Sequence, residues 1–235
     1  MSKKLHAEIV LAFKKHSGKG TTHTSSKTYL GNSHFTYDIS VPIQRQIAKD
    51  FIKAHPDIAP EQFAALLDLL YAGKSYNEKS MGGSLLSYMK KHRVNIKPQM
   101  LDAWLEHLVG WAEIDSLCQG TFEAEDLLAD WKQWEKTLVF FSKSKDISKR
   151  RASLVLLTTP VTDSTNPRLS KLAFKNIETL KGEKDILITK AISWLLRSLV
   201  KHHRKEVAAY LAKNKNSLPK IAVRETTRKI ETGKK

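Results

Sequence analysis

The chain has 235 residues, with 40 Lys and Arg against 24 Asp and Glu, a formal net charge of +16 and a sequence pI near 9.8. With 41% hydrophobic and 27% charged residues it is long and apolar enough to bury a core, which excludes intrinsic disorder. No apolar run approaches the roughly 20 residues of a membrane span, and Met1-Ser2-Lys3-Lys4 opens a charged helix, not a secretory leader, so a cytoplasmic protein is expected. The single cysteine, Cys118, excludes an internal disulfide and a Cys-rich zinc site, and it reads as a small buried apolar residue.

Leu5, Ile9, Val10 and Phe13 fall on one helical face, and a Ser/Thr/Gly-rich stretch from residue 17 to 34 then reads as a long flexible loop. Pro42 and Pro60 each stand where a helix can begin, because proline fixes φ and needs no amide partner in the first turn. Ile43, Ile47 and Phe51 follow the first, and Phe63, Leu66, Leu67, Leu70 and Tyr71 the second. Asn77 is placed to cap a third helix carrying Met81, Leu85 and Met89, in which Gly82 and Gly83 mark close packing. Further amphipathic helices are expected from Pro98, from Glu123 through Trp131 and Trp134, from Ile147 and from Arg168, with Thr158 to Asn166 as a loop. Asp185 begins a longer helix through Trp194, followed by helices over 203–214 and 218–230. No convincing strand is found.

Helix starts separated by roughly 17 to 25 residues make a helix pair of about 40, the period of HEAT and armadillo arrays. The expected fold is therefore all-α: a HEAT-like α-α superhelix, a solenoid of antiparallel helix pairs forming one domain over 1–235. The charge is regional. Residues 101–150 carry 6 basic and 10 acidic side chains, whereas the last 35 residues carry 11 and 3. A solenoid with such an excess offers a concave basic groove to a nucleic-acid duplex.

Several signals fail on spacing. Gly18-Lys19-Gly20-Thr21-Thr22 lacks the phosphate-loop pattern, the nine histidines contain no HExxH, and there is no Gly-x-Ser-x-Gly. No metal and no cofactor are expected. Trp111 and Asp115, four residues apart, share a helical face. On spacing alone, a core tryptophan and a capping aspartate is the commoner explanation. Lys149-Arg150-Arg151 opens an apolar helix against the dipole preference for acids, which suits either a nearby anion or a solvated arginine.

Taken together these residues resemble the AlkD-type DNA alkylation repair glycosylases, built from HEAT-like helix pairs, from about Tyr37 to the C-terminus. The resemblance rests on Trp111-x3-Asp115, on Arg151-Ala152-Ser153-Leu154, and on Lys190-Ala191-Ile192-Ser193-Trp194-Leu195-Leu196-Arg197, which is similar to the family's Lys-Ala-Ile-Gly-Trp-x-Leu-Arg. It implies hydrolysis of the N-glycosidic bond of cationic alkylpurines, such as 3-methyladenine and 7-methylguanine, in double-stranded DNA without base flipping. Asp115 would stabilise the sugar cation and orient water, Trp111 and Trp194 would wall the sugar, and Arg151 would hold the flanking phosphate. The expected enzyme is a monomer, nucleoid-associated when bound to DNA. The alternative is a non-catalytic HEAT-like protein that binds nucleic acid through the same groove. Tyr37-Asp38 replaces the small residue the family often carries before Val41-Pro42, so no N-terminal groove contact carries over.

Overall fold

The computed structural model describes residues 1–18, 31 and 34–234. Among them the protein is all-α, with thirteen α-helices, one 3₁₀ turn and no strand; a single parallel bridge joins Phe35 to Ser75. Most of the expected 17–34 loop lies outside the described residues. The helices gather into two compact units, Met1–Leu117 and Cys118–Lys235.

The first unit contains α1 (Ser2–His16), α2 (Val41–Ala54), α3 (Pro60–Tyr71), α4 (Tyr76–Tyr88), a 3₁₀ turn (Lys90–Asn95), α5 (Met100–Leu105) and α6 (Gly110–Cys118). α1 packs on α3 and α2, and α4 on α3 and α2. Leu5, Ile9 and Phe13 of α1 are buried, while Val10 is only half-buried. The centre holds Phe63, Leu66, Leu67, Leu70, Tyr71, Met81 and Leu85, all with no exposed surface. Trp104 stacks on Tyr71 at 4.8 Å and donates its indole N–H to Asp68 at 2.7 Å, so the polar edge of a buried ring is satisfied. Each such apolar side chain contributes about 1.5–3 kcal/mol through burial.

Pro42 and Pro60 do stand in the first turns of α2 and α3. The cap of α4 differs from expectation: Ser75, not Asn77, closes the helix. Its hydroxyl accepts the Glu78 N–H, and the Glu78 carboxylate accepts the Ser75 N–H at 2.9 Å, a reciprocal capping box. Asn77 lies inside the first turn, where its side chain accepts from Tyr37 N–H and donates to Gln44 of α2, both at 2.8 Å. The expectation for Gly82 and Gly83 holds. A β-carbon on Gly82 would meet the Tyr71 ring at 2.8 Å, and one on Gly83 would stand 1.8 Å from the Ser116 carbonyl oxygen of α6.

The second unit contains α7 (Ala124–Ala129), α8 (Trp131–Ser142), α9 (Ile147–Val155), α10 (Thr158–Asp163), α11 (Pro167–Leu180), α12 (Ile186–Asn214) and α13 (Lys220–Thr232). α9 packs on α8 and α12, α10 on α12 and α7, and α13 on α12. Two boundaries depart from the sequence reading. The helix expected from Glu123 is two helices, broken at Asp130 (φ −127°, ψ 49°). The expected loop at Thr158 to Asn166 contains α10, because Thr158, Pro160 and Val161 are buried. The division expected at His203 is present as a non-helical residue (φ −124°, ψ 36°) inside α12. Cys118 is buried, as expected.

Candidate DNA-processing site

α6 carries Trp111 and Asp115 one turn apart, and the local sequence dictates how it starts. Gly110 has φ +75°, the left-handed region that favours glycine, and a β-carbon there would lie 1.7 Å from the Gly31 carbonyl oxygen. A side-chain-bearing residue fits neither the backbone angle nor the space. Trp111 is half-buried and Asp115 only 9% exposed. Asp115 stands well inside α6, so it is not a helix cap, and Trp111 is not enclosed in the core.

Between them, Glu113 is completely buried, a residue that the sequence reading passed over. Its carboxylate accepts the Val109 backbone N–H at 2.8 Å, one of the amide donors that a helix start leaves unsatisfied. It also meets Nδ1 of His34, at 2.8 and 3.0 Å to its two oxygens. The negative charge is felt across the packing by two residues of α4. Burial raises the Tyr76 phenol above its ordinary value, against a hydrogen bond from Ser80, and Glu113 raises it further. Burial lowers the Lys79 ammonium, with Glu113 and Glu78 working against that shift. Lys79 is 1% exposed and donates to the carbonyls of Tyr71 and Gly73, both at 2.8 Å.

Arg151 and Trp194 belong to the second unit, on α9 and α12. The arginine is not solvated: it is 5% exposed, and its guanidinium donates to the Leu187 carbonyl in the first turn of α12. Arg151 is thereby joined to the helix that bears Trp194. Trp194 itself is half-buried. Its neighbour Ser193 is fully buried and donates to Glu225 of α13 at 2.6 Å, and Arg197 Nη2 stands 3.4 Å from the same carboxylate oxygen. The other residues of the basic run are also engaged. Arg150 pairs with Glu183 and donates to the carbonyls of Ser144 and Lys145, and Lys149 is buried. Trp134 packs edge-on against Phe122 in the core, and Trp131 is half-buried.

Among the described residues no group of three or more His, Cys, Asp or Glu side chains is arranged to hold a metal ion, and no helix is long and apolar enough to cross a membrane. Among the described residues the fold is all-α, and α6 places a half-buried tryptophan and a shielded carboxylate one turn apart. The sequence matches the family described as DNA alkylation repair enzyme over residues 10–230, and the chain belongs to that family. No curated protein matches it. Among solved structures it is similar to a predicted DNA alkylation repair enzyme from Enterococcus faecalis, with a TM-score of 0.68, 16% identity, and coverage of 97% of this chain and 96% of that one. At that identity the likeness shows a shared fold.

Proposed function

We propose that this protein is a DNA glycosylase that removes cationic N3- and N7-alkylated purines from duplex DNA. The observation that carries this reading is Asp115, a carboxylate 9% exposed and one helical turn from a half-buried tryptophan, in a chain of the DNA alkylation repair family. An alkylated purine already bears a positive charge. When the C1′–N bond breaks, the electron pair leaves with the base, which departs neutral and needs no general acid. The positive charge passes to the deoxyribose as an oxocarbenium-like cation, and a water oxygen then bonds to C1′ and releases its proton.

The work left to the protein is electrostatic. A fixed carboxylate shielded from bulk water interacts with that cation more strongly than a solvated one does. Asp115 is proposed to stabilise the cation and to orient the water. Trp111 and Trp194 are proposed to offer it aromatic faces, worth roughly 0.5–2 kcal/mol each. Arg151, fixed on Leu187 with little of its surface open, is proposed to act on the flanking phosphate as a stationary positive charge.

The test is single-turnover release of 7-methylguanine from a defined methylated duplex at protein excess. Asp115→Asn, which keeps the shape and removes the charge, is expected to slow release by about 100-fold or more with the thermal midpoint unchanged. Equal release by the variant removes Asp115 from the mechanism. Salt-dependent duplex binding without release by wild type would favour a non-catalytic DNA-binding protein.

A further inference from the structure

We infer that Glu113 and His34 form a positioning pair that sets the direction in which the first turn of α6 presents Trp111 and Asp115. The inference rests on the glycosylase reading for its link to catalysis, but its geometry is independent of it. Glu113 has no exposed surface, and its carboxylate is held from two sides: by Val109 N–H at the start of its own helix, and by His34 Nδ1 from a segment 79 residues away in the chain. One contact fixes the carboxylate to the helix, and the other fixes it to the rest of the unit.

A second contact from the same segment meets the same turn. The Gly31 carbonyl occupies the space a β-carbon would take on Gly110, and a β-carbon on Gly31 would stand 3.3 Å from Cδ1 of Trp111. The backbone at residue 31 therefore lies against the edge of the indole ring. Rotation of the first turn would pull Glu113 from His34 and drive Gly110 or Trp111 into Gly31. The two contacts resist the same motion.

The far end of α6 is restrained as well, since the Ser116 carbonyl fills the gap left by the missing side chain of Gly83. Ser116 follows Asp115 directly, and its hydroxyl donates back to the Glu113 carbonyl at 2.7 Å. Helix α6 thus has contacts at both ends, and the one at its N-terminal end depends on the fully buried Glu113 carboxylate.

The experiment compares wild type with Glu113→Gln, His34→Ala, His34→Asn and the Glu113→Gln/His34→Ala double variant. Asparagine places an amide N–H near the position of the imidazole Nδ1, so it is the conservative replacement. Two readings are taken, after circular dichroism confirms the helical content of each variant. The first is the ¹⁵N-indole spectrum of the five tryptophans, with the Trp111 signal identified by its loss in Trp111→Phe. The second is single-turnover release of 7-methylguanine together with the Kd for the methylated duplex.

The Trp111 signal is expected to move in Glu113→Gln and His34→Ala while that of Trp194 stays. Release is expected to slow by about 10-fold in each with Kd nearly unchanged, as befits a misplaced group rather than a lost ligand contact. The double variant should be no slower than the slower single variant, because both break one unit. His34→Asn should recover most of the rate. An unmoved Trp111 signal, multiplying losses, or an asparagine variant no better than alanine would overturn the assignment. If wild type releases no base, the glycosylase reading falls, and the indole spectra alone decide whether the pair positions Trp111.

Discussion

His92 lies 5% exposed in the first unit, its ring 4.9 Å from that of Phe63 and its Nε2 buried without a hydrogen-bond partner among the described residues. Burial lowers its pKa from 6.5, and the neighbouring Lys91 charge lowers it further, because an imidazolium there would give up water for nothing in return. The folded state thus holds His92 neutral, while the unfolded chain takes up a proton near 6.5. Its contribution is complete above that value and is lost as the pH falls through it towards the lower folded value. His92→Phe keeps the ring stack and removes the titration. Urea unfolding at about pH 7 and about pH 5 should show wild type losing more stability than the variant, and parallel losses would refute the assignment. Lys79 is a different case among buried ions, since two backbone carbonyls receive its ammonium. Neither residue announces its burial in the sequence, because a lone histidine or lysine on a helix is usually solvated.

At the scale of elements, boundaries follow residue chemistry where that chemistry is local. Pro42 and Pro60 mark their helices correctly, and Asn166 and Asp185 cap α11 and α12 with their own side chains. Gly83 supplies the prediction. Alanine there would put a β-carbon 1.8 Å from a backbone oxygen, which cannot move without displacing α6, whereas alanine at Gly82 meets the Tyr71 ring and at Gly182 meets nothing. Gly83→Ala should therefore cost about 2 kcal/mol in urea unfolding, Gly82→Ala less, and Gly182→Ala little. Equal losses at the three sites would show that close approach is not what selects glycine in α4. The glycine pair was legible in the sequence as a sign of packing, and Trp111-x3-Asp115 as a shared face, because both depend only on helical spacing. Where contacts come from afar, the reading stopped. Thr158 to Asp163 has the composition of a loop and becomes α10 through burial against other helices. The stripe from Leu127 to Trp134 continues across Asp130, so periodicity did not show the break. Ser75 and Asn77 are both good cap residues, and the Ser75-x-x-Glu78 spacing decides between them. His34 and Glu113, 79 residues apart, have no local signature at all.

For the whole molecule the governing quantity is a charge of +16 spread unevenly along the chain. Within individual helices the basic residues form exposed rows: Arg45, Lys49 and Lys53 on α2, Arg168, Lys171 and Lys175 on α11, and Lys220, Arg224 and Arg228 on α13. Spacing of three or four residues repeats a cation roughly every 4.5 to 6 Å along one helix face, a separation suited to consecutive phosphates of one strand. Neutralised phosphates release counterions, so the logarithm of duplex affinity should fall linearly with the logarithm of salt concentration, by about 0.9 for each phosphate engaged. The row on α13 gives this a specific form. Replacing Lys220, Arg224 and Arg228 together by glutamine should reduce the slope by up to about 3 and weaken binding alike on methylated and unmethylated duplexes. Single-turnover release at saturating protein should stay near the wild-type rate, because phosphate contacts raise occupancy without touching the C1′–N bond. Fluorescence anisotropy across a salt series reads the slope directly. An unchanged slope would take α13 off the DNA and leave the rows on α2 and α11 to carry the backbone. A reduced slope with slowed release would mean instead that α13 also orders the helix beneath it, through the Glu225 contacts with Ser193 and Arg197 that flank Trp194.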